Sequence, residues 1–203
     1  MTPRPSLRSD RGQTLPIYIW MTGILLFVAF AFFAFAQAAS ARNGAQSAAD
    51  AAALAAAQDS RDELVDGLGQ AIGDGDAWLD WLDGDKFTGD GAQGAADALA
   101  ADNDSAVTGF GPEEVSGFPG YRVEIETNYT VGDSIIPGTE SQHAKASATA
   151  VIKPRCGITP ASDPEKEVEF ECDGGASFEI DPDDFDLEDL PDASALFSVH
   201  LAD

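Results

Sequence analysis

The chain has 203 residues, a formal net charge of -25 and two cysteines. A surface this acidic repels phosphate backbones, which argues against nucleic-acid binding and indicates a solvated domain outside the cell. Roughly 145 residues follow Ala57, and this length suits one modest domain rather than two.

The N-terminal part of the chain has the pattern of a membrane anchor. Residues 1–14 hold three arginines and one acid, and no charged residue lies between Arg11 and Arg42. The apolar run from Ile17 to Ala39 is long enough to cross about 30 Å of hydrocarbon as a helix. Because basic flanks stay in the cytoplasm, we expect residues 1–14 to be a cytoplasmic tail, residues 15–40 to span the cell membrane once and the rest to be extracytoplasmic. The side chains expected to anchor the helix are Ile17, Trp20, Leu25, Phe27, Phe30 and Phe33.

A cleaved signal peptide is the alternative to a retained anchor. Patterns of the type A-x-A end at Ala36, Ala38 and Ala41. Alanine-rich sequence produces this pattern by chance, however, and the apolar run is longer than the roughly 7–15 residues of a signal-peptide core. We therefore expect the helix to be retained.

Residues 41–72 are predicted to continue the same helix outside the membrane. Alanine recurs at every fourth position, which places methyl groups along one helix face where another element can approach closely. This face could pack beneath the chain's own domain or against a neighbouring subunit, and the high helix propensity of alanine would also account for the composition. The sequence leaves these alternatives open, although we expect a partner to bind here. The face consists of Ala41, Ala45, Ala49, Ala53 and Ala57.

Residues 73–203 are predicted to form an acidic α+β domain. Short helical patterns surround Trp78 and Trp81, and we expect both tryptophans to close the edge of a small core rather than to form an exposed binding patch. Residues 121–131 and 144–152 alternate apolar and polar side chains, which predicts a long antiparallel hairpin. Shorter alternating segments around Phe170, Phe178 and Phe197 would complete an antiparallel sheet of four or five strands.

The two cysteines, Cys156 and Cys172, follow the membrane helix and would face an oxidising compartment. They are therefore predicted to form a disulfide. A bridge that closes a loop of about 17 residues stabilises a fold by on the order of 3 kcal/mol.

No catalytic or metal-binding pattern is recognisable in the sequence. His143 and His200 fall on the polar side of predicted strands without a nucleophile motif, and their spacing from the cysteines matches no zinc finger. The acidic runs near Asp74, Asp83 and Asp181 lack the ligand spacing of a calcium loop, so we interpret them as solvated loops. The sequence predicts no enzyme activity, no cofactor, no bound metal and no small-molecule substrate.

The first third of the chain resembles a known family. The start RGQTLP, the single apolar helix and the run RNGAQSAADAAALAAAQ at residues 42–58 are similar to TadE/TadG-like proteins of bacterial tight-adherence (Flp-type) pilus assembly. The stretch from Gly132 to Cys156 also resembles the C-terminal half of TadG-related proteins.

This resemblance implies a non-catalytic, minor-pilin-like or pilus-assembly membrane protein, with other pilus-assembly membrane proteins or pilins as its partners. The chain departs from prepilins at one place, because Ile17 stands where a prepilin has glutamate five residues after its cleaved glycine, here Gly12. We therefore expect the N-terminus to stay unprocessed. The alternative function is a secreted or membrane-anchored extracellular binding module unrelated to pili.

Overall fold

One long helix organises the fold. The computed structural model describes residues 14–84, 86–132, 141–158, 163 and 168–202. Helix α1 spans Thr14–Ala71, and its 58 residues extend over about 87 Å at 1.5 Å per residue. Alanine and leucine favour this conformation, and no proline follows Pro16 within the helix. The helix ends before Gly73 and Gly75, which have φ angles of 93° and 63° that glycine adopts without steric cost.

A four-stranded antiparallel sheet lies against the C-terminal half of α1. The predicted long hairpin is present, with Tyr121 opposite Ala150. A further strand, β1, precedes it and is bulged between Val107 and Gly109. The strands follow the order β1-β2-β3-β7 across the sheet. Their bounds are Ser105–Val115 for β1, Phe118–Thr130 for β2, His143–Pro154 for β3 and Phe197–Leu201 for β7.

A second, three-stranded antiparallel sheet follows the first in the chain, so the predicted single sheet is two sheets. The order of its strands is β4-β5-β6. The Cys156–Cys172 disulfide joins directly opposed residues of its first two strands. Residues 133–140, between the two strands of the predicted hairpin, and most of residues 158–166 lie outside the described residues. The bounds are Cys156–Ile158 for β4, Val168–Cys172 for β5 and Ala176–Ile180 for β6.

Short helices and turns close the remaining sides of the core. Trp78 is fully buried and its ring lies 6.5 Å from that of Phe170. Trp81 is half-buried against Gly67 of α1. Both tryptophans thus belong to the core edge, as the sequence indicated. The helices are α2 at Leu79–Leu82, α3 at Ala92–Asp102 and α4 at Ala193–Leu196, and two 3₁₀ turns occupy Pro182–Asp184 and Leu187–Asp189.

The core lies on one face of the main sheet. Tyr121, Val123 and Ile125 of β2 point into it and are buried, while the alternating Arg122 and Glu124 are exposed. Helices α1 and α3 cover this face. The molecule is therefore an α+β fold with its helices on one side of an antiparallel sheet.

Candidate membrane helix and its junction with the domain

The N-terminal half of α1 exposes apolar side chains around its whole circumference. It contains the one candidate membrane span in the part of the chain that the structure describes, and none of that span's apolar window is buried in the protein. Such a surface is stable in lipid or against other apolar surfaces, but not in water. The six predicted anchor residues are all more than half exposed: Ile17, Trp20, Leu25, Phe27, Phe30 and Phe33.

The environment of α1 changes over less than two turns. Phe35 is 80% exposed, whereas Ala41 is 5% exposed and Ala45 is fully buried. The helix is continuous through this change, and it contains no proline after Pro16 that could kink it. The domain is consequently joined to the apolar half by a rigid helix rather than by a linker.

The alanine face packs against the chain's own domain. Ala49, Ala53 and Ala57 are completely buried, and so is the neighbouring row at Ala48, Ala52 and Ala56. The partly buried alanines of β3 pack against this cluster, so small side chains meet small side chains and the helix can approach the sheet closely. The chain's own domain therefore covers this face, which is the first of the two alternatives left open by the sequence.

Two glycines of α1 admit aromatic side chains directly onto the helix backbone. A Cβ at Gly44 would collide with the hydroxyl of Tyr129, which lies near the end of β2. A Cβ at Gly67 would collide with the six-membered ring of Trp81. These contacts fix the domain at both ends of the packed half of α1.

A buried hydrogen bond joins α1 to the centre of the sheet. The hydroxyls of Ser60 and Tyr121 lie 2.9 Å apart, and the two residues are 0% and 5% exposed. Burial raises the pKa of Tyr121, and the hydrogen bond with Ser60 opposes that shift only in part. Each hydroxyl therefore depends on the other as a partner.

Glu63 of α1 holds the loop that precedes α3. Its carboxylate accepts hydrogen bonds from the backbone N–H and the hydroxyl of Thr88, both at 2.8 Å, and from the N–H of Gly89 at 2.9 Å. Burial acts to raise the pKa of Glu63, but these hydrogen bonds outweigh burial and the pKa is lowered. The loop is thus bound by the ionised carboxylate.

Gln46 connects α1 to the outer edge of β3. Its side-chain nitrogen donates to Asp50, 2.8 Å away and one helical turn on, and to the carbonyl oxygen of Ser147 at 3.4 Å. Strand β7 pairs with β3 only from Ala150 to Pro154. Gln46 therefore caps part of the edge that β7 leaves uncovered.

The acidic surface contains clefts. One of about 740 Å³ lies beside the end of α1 and includes Asp59, Asp62, Asp66 and Asp90. Within the described ranges, no group of three or more histidine, cysteine or acidic side chains is arranged to hold a metal ion.

The residues considered for zinc or catalysis are placed apart. The Nδ1 atom of His143 lies 2.6 Å from the carbonyl oxygen of Thr127, and His200 is exposed on β7. Both cysteines are bonded to each other in the disulfide. The structure does not bring these four side chains together as a site.

Most of α1 is similar to a known protein family. Residues 12–59 match the family described as "Putative Flp pilus-assembly TadE/G-like". Over these residues, about a quarter of its length, the chain is similar to this family. The match contains both the apolar half of α1 and the alanine face, and it ends near Ser60, where the helix meets the centre of the sheet. It does not include residues 132–156, where the sequence also suggested a resemblance.

The family match does not extend beyond residues 12–59. No curated protein and no solved structure matches the chain. The TadE/G-like helix is therefore the part on which a functional assignment depends.

Proposed function

We propose that the chain is a single-pass membrane protein of Flp-type pilus assembly that acts without catalysis, as a minor-pilin-like subunit or as an anchor of the surface pilus. One observation carries this proposal: the TadE/G-like segment is half apolar and exposed, and half built into the core of an acidic domain. A helix of this kind can hold a domain at a membrane surface.

The same proposal assigns each part of the chain to a compartment. Residues 1–14 are the cytoplasmic tail, residues 15–40 span the membrane, residues 41–72 continue the helix outside and residues 73–203 form the extracytoplasmic domain. The three N-terminal arginines support this direction. The Cys156–Cys172 disulfide supports it too, because disulfides persist in oxidising compartments.

Deleting the gene and counting pili by electron microscopy tests the pilus role. We expect deletion to remove or strongly reduce the pili and the full chain to restore them. The matched variant replaces residues 17–36 with an unrelated transmembrane helix of equal length and leaves the packed half of α1 intact. It should be inserted and folded but should restore piliation poorly, since it lacks the TadE/G-like apolar face.

The possible outcomes separate the two candidate functions. Unchanged piliation after deletion would contradict the pilus proposal and favour the unrelated binding module. Full rescue by the swapped helix would show that this segment serves only to hold the domain at the membrane.

Topology is tested separately. Alkaline phosphatase fused to the C-terminus should be active, because the enzyme folds only after export. N-terminal sequencing of the mature protein should give a start near Met1, whereas a start near Arg42 would show that the apolar segment is a cleaved signal peptide.

A further inference from the structure

The domain meets α1 at the level where the apolar segment ends. Gly132, just after β2, lies against the side chain of Gln37. A Cβ added at Gly132 would lie 3.8 Å from the amide nitrogen and from the amide oxygen of Gln37. The Gln37 oxygen is shielded from solvent and has no hydrogen-bond partner in the described part of the chain. No spacer therefore separates the apolar segment from the first contact with the domain.

The end of the β2–β3 hairpin runs alongside the helix. Tyr129 contacts α1 at Gly44 and Gly132 contacts it at Gln37. The two helix positions are about 10 Å apart along the axis, and three residues of a strand also span about 10 Å. The two contacts thus show the strand descending beside the helix toward the apolar segment.

The thickness of a bilayer then fixes the height of this end of the domain. Counted from Ile17, about 20 helical residues cross about 30 Å of hydrocarbon, which places Gln37 at its outer boundary. The headgroup layer adds about 5–7 Å on each side. A tilted helix would need more residues to cross, so tilt would bring Gln37 deeper rather than higher.

We propose that the membrane-facing end of the hairpin, residues 129–132 and 141–143, rests in the lipid headgroup layer, so that the domain sits directly on the bilayer. This inference depends on the proposed membrane span. The partner of this surface is phospholipid, because the surface directly adjoins the end of the apolar segment of α1.

The side chains at this level suit an interface with lipid headgroups. Tyr129 is 39% exposed, and tyrosine favours the boundary between lipid and water. Arg42 and His143 are exposed nearby, while the first acid of α1, Asp50, lies about 20 Å above Gln37. Residues 133–140, which include Asp133 and Glu140, lie outside the described residues.

Lipid quenching of a fluorescent probe tests the proposal on the full chain. Single cysteines are introduced by Gln142→Cys at the hairpin end, Glu114→Cys at the opposite end of the sheet and Phe33→Cys in the apolar segment. Each is labelled without reductant, which keeps the native disulfide closed, and is reconstituted in phosphatidylcholine vesicles with or without brominated acyl chains. Phe33→Cys and Gln142→Cys should both be quenched and blue-shifted, and Glu114→Cys should show neither change.

A lifted variant distinguishes membrane contact from mere proximity of the label to the helix. Seven alanines inserted between Ala36 and Gln37 preserve the contact of Gln37 with Gly132 and raise the domain by about 10 Å on nearly the same helix face. The Gln142→Cys probe should then lose its quenching while Phe33→Cys keeps it.

Two results would overturn the proposal, and they differ. Quenching of Phe33→Cys without quenching of Gln142→Cys leaves the span in place and refutes the seating of the domain. Absence of quenching at Phe33→Cys refutes the span itself, and with it both this inference and the membrane part of the proposed function.

Discussion

Replacing Ala49 with leucine tests whether the alanine face is filled by the chain's own domain. Ala49 has no exposed surface and belongs to the cluster in which the helix and the alanines of β3 meet. Leucine adds three carbon atoms where no space is left, and such overpacking costs typically 1–3 kcal/mol. In a domain of this size each kcal/mol lowers the melting temperature by about 2–4 °C.

The assay is thermal unfolding of the full chain in detergent micelles, followed by tryptophan fluorescence. Trp78 is fully buried against Phe170, so its emission reports loss of the core. The matched control is Ala55→Leu, the same substitution at a partly exposed position of the same helix. We expect Ala49→Leu to unfold at clearly lower temperature and Ala55→Leu to unfold close to the wild type.

An equal melting temperature for all three proteins would refute the reasoning. If Ala49→Leu also abolished pilus assembly without changing stability, the alanine face would be a surface for another subunit. That was the second alternative left open by the sequence.

Three further predictions concern the contacts that hold the domain on α1. Ser60→Ala and Tyr121→Phe should each lower the free energy of unfolding by about 1–2 kcal/mol, because each change leaves the other buried hydroxyl unpaired. The double variant should lose less free energy of unfolding than the two single losses added together. Additive losses in denaturant unfolding would contradict the pairing. Glu63→Gln should destabilise the protein at neutral pH. The difference in free energy of unfolding from the wild type should shrink as the pH falls below 4.5, the ordinary pKa of a glutamate, because a lowered pKa stabilises the fold only while the carboxylate is ionised. A difference in stability that does not change with pH would exclude this role. Reducing the Cys156–Cys172 disulfide should lower the free energy of unfolding by about 3 kcal/mol. Hydrogen exchange should then increase first in β4 to β6. Simultaneous loss of protection in β2 and β3 would instead show that the two sheets unfold as one unit.

The sequence predicted those elements whose signal is periodic. The exposed apolar half of α1 follows from length and hydropathy alone, and the β2–β3 hairpin follows from strict alternation around Val123 and Ala148. Strand β1 does not stand out in the sequence, because Gly109, Gly111 and Pro112 interrupt its alternation and are depleted in strands.

Contacts between distant residues carried no such signal. The pairing of Ser60 with Tyr121 joins residues separated by 61 positions, and no local pattern links the two. The same limit applied to the alanine face, because a row of methyl groups fits a sheet and a neighbouring helix equally well. The split into two sheets was also missed, since alternation within each short strand does not say which strands are neighbours.

The continuity of α1 has a mechanical consequence. One face of α1 between Ala45 and Ala71 belongs to the hydrophobic core. A force along the axis of the apolar half therefore acts in shear on the contact between this face and the sheet. In the proposed single-pass arrangement, the domain has no linker that could be stretched between it and the membrane. Extraction of the helix and unfolding of the domain would then be a single event, and the folded domain would limit how far the helix can move through the bilayer.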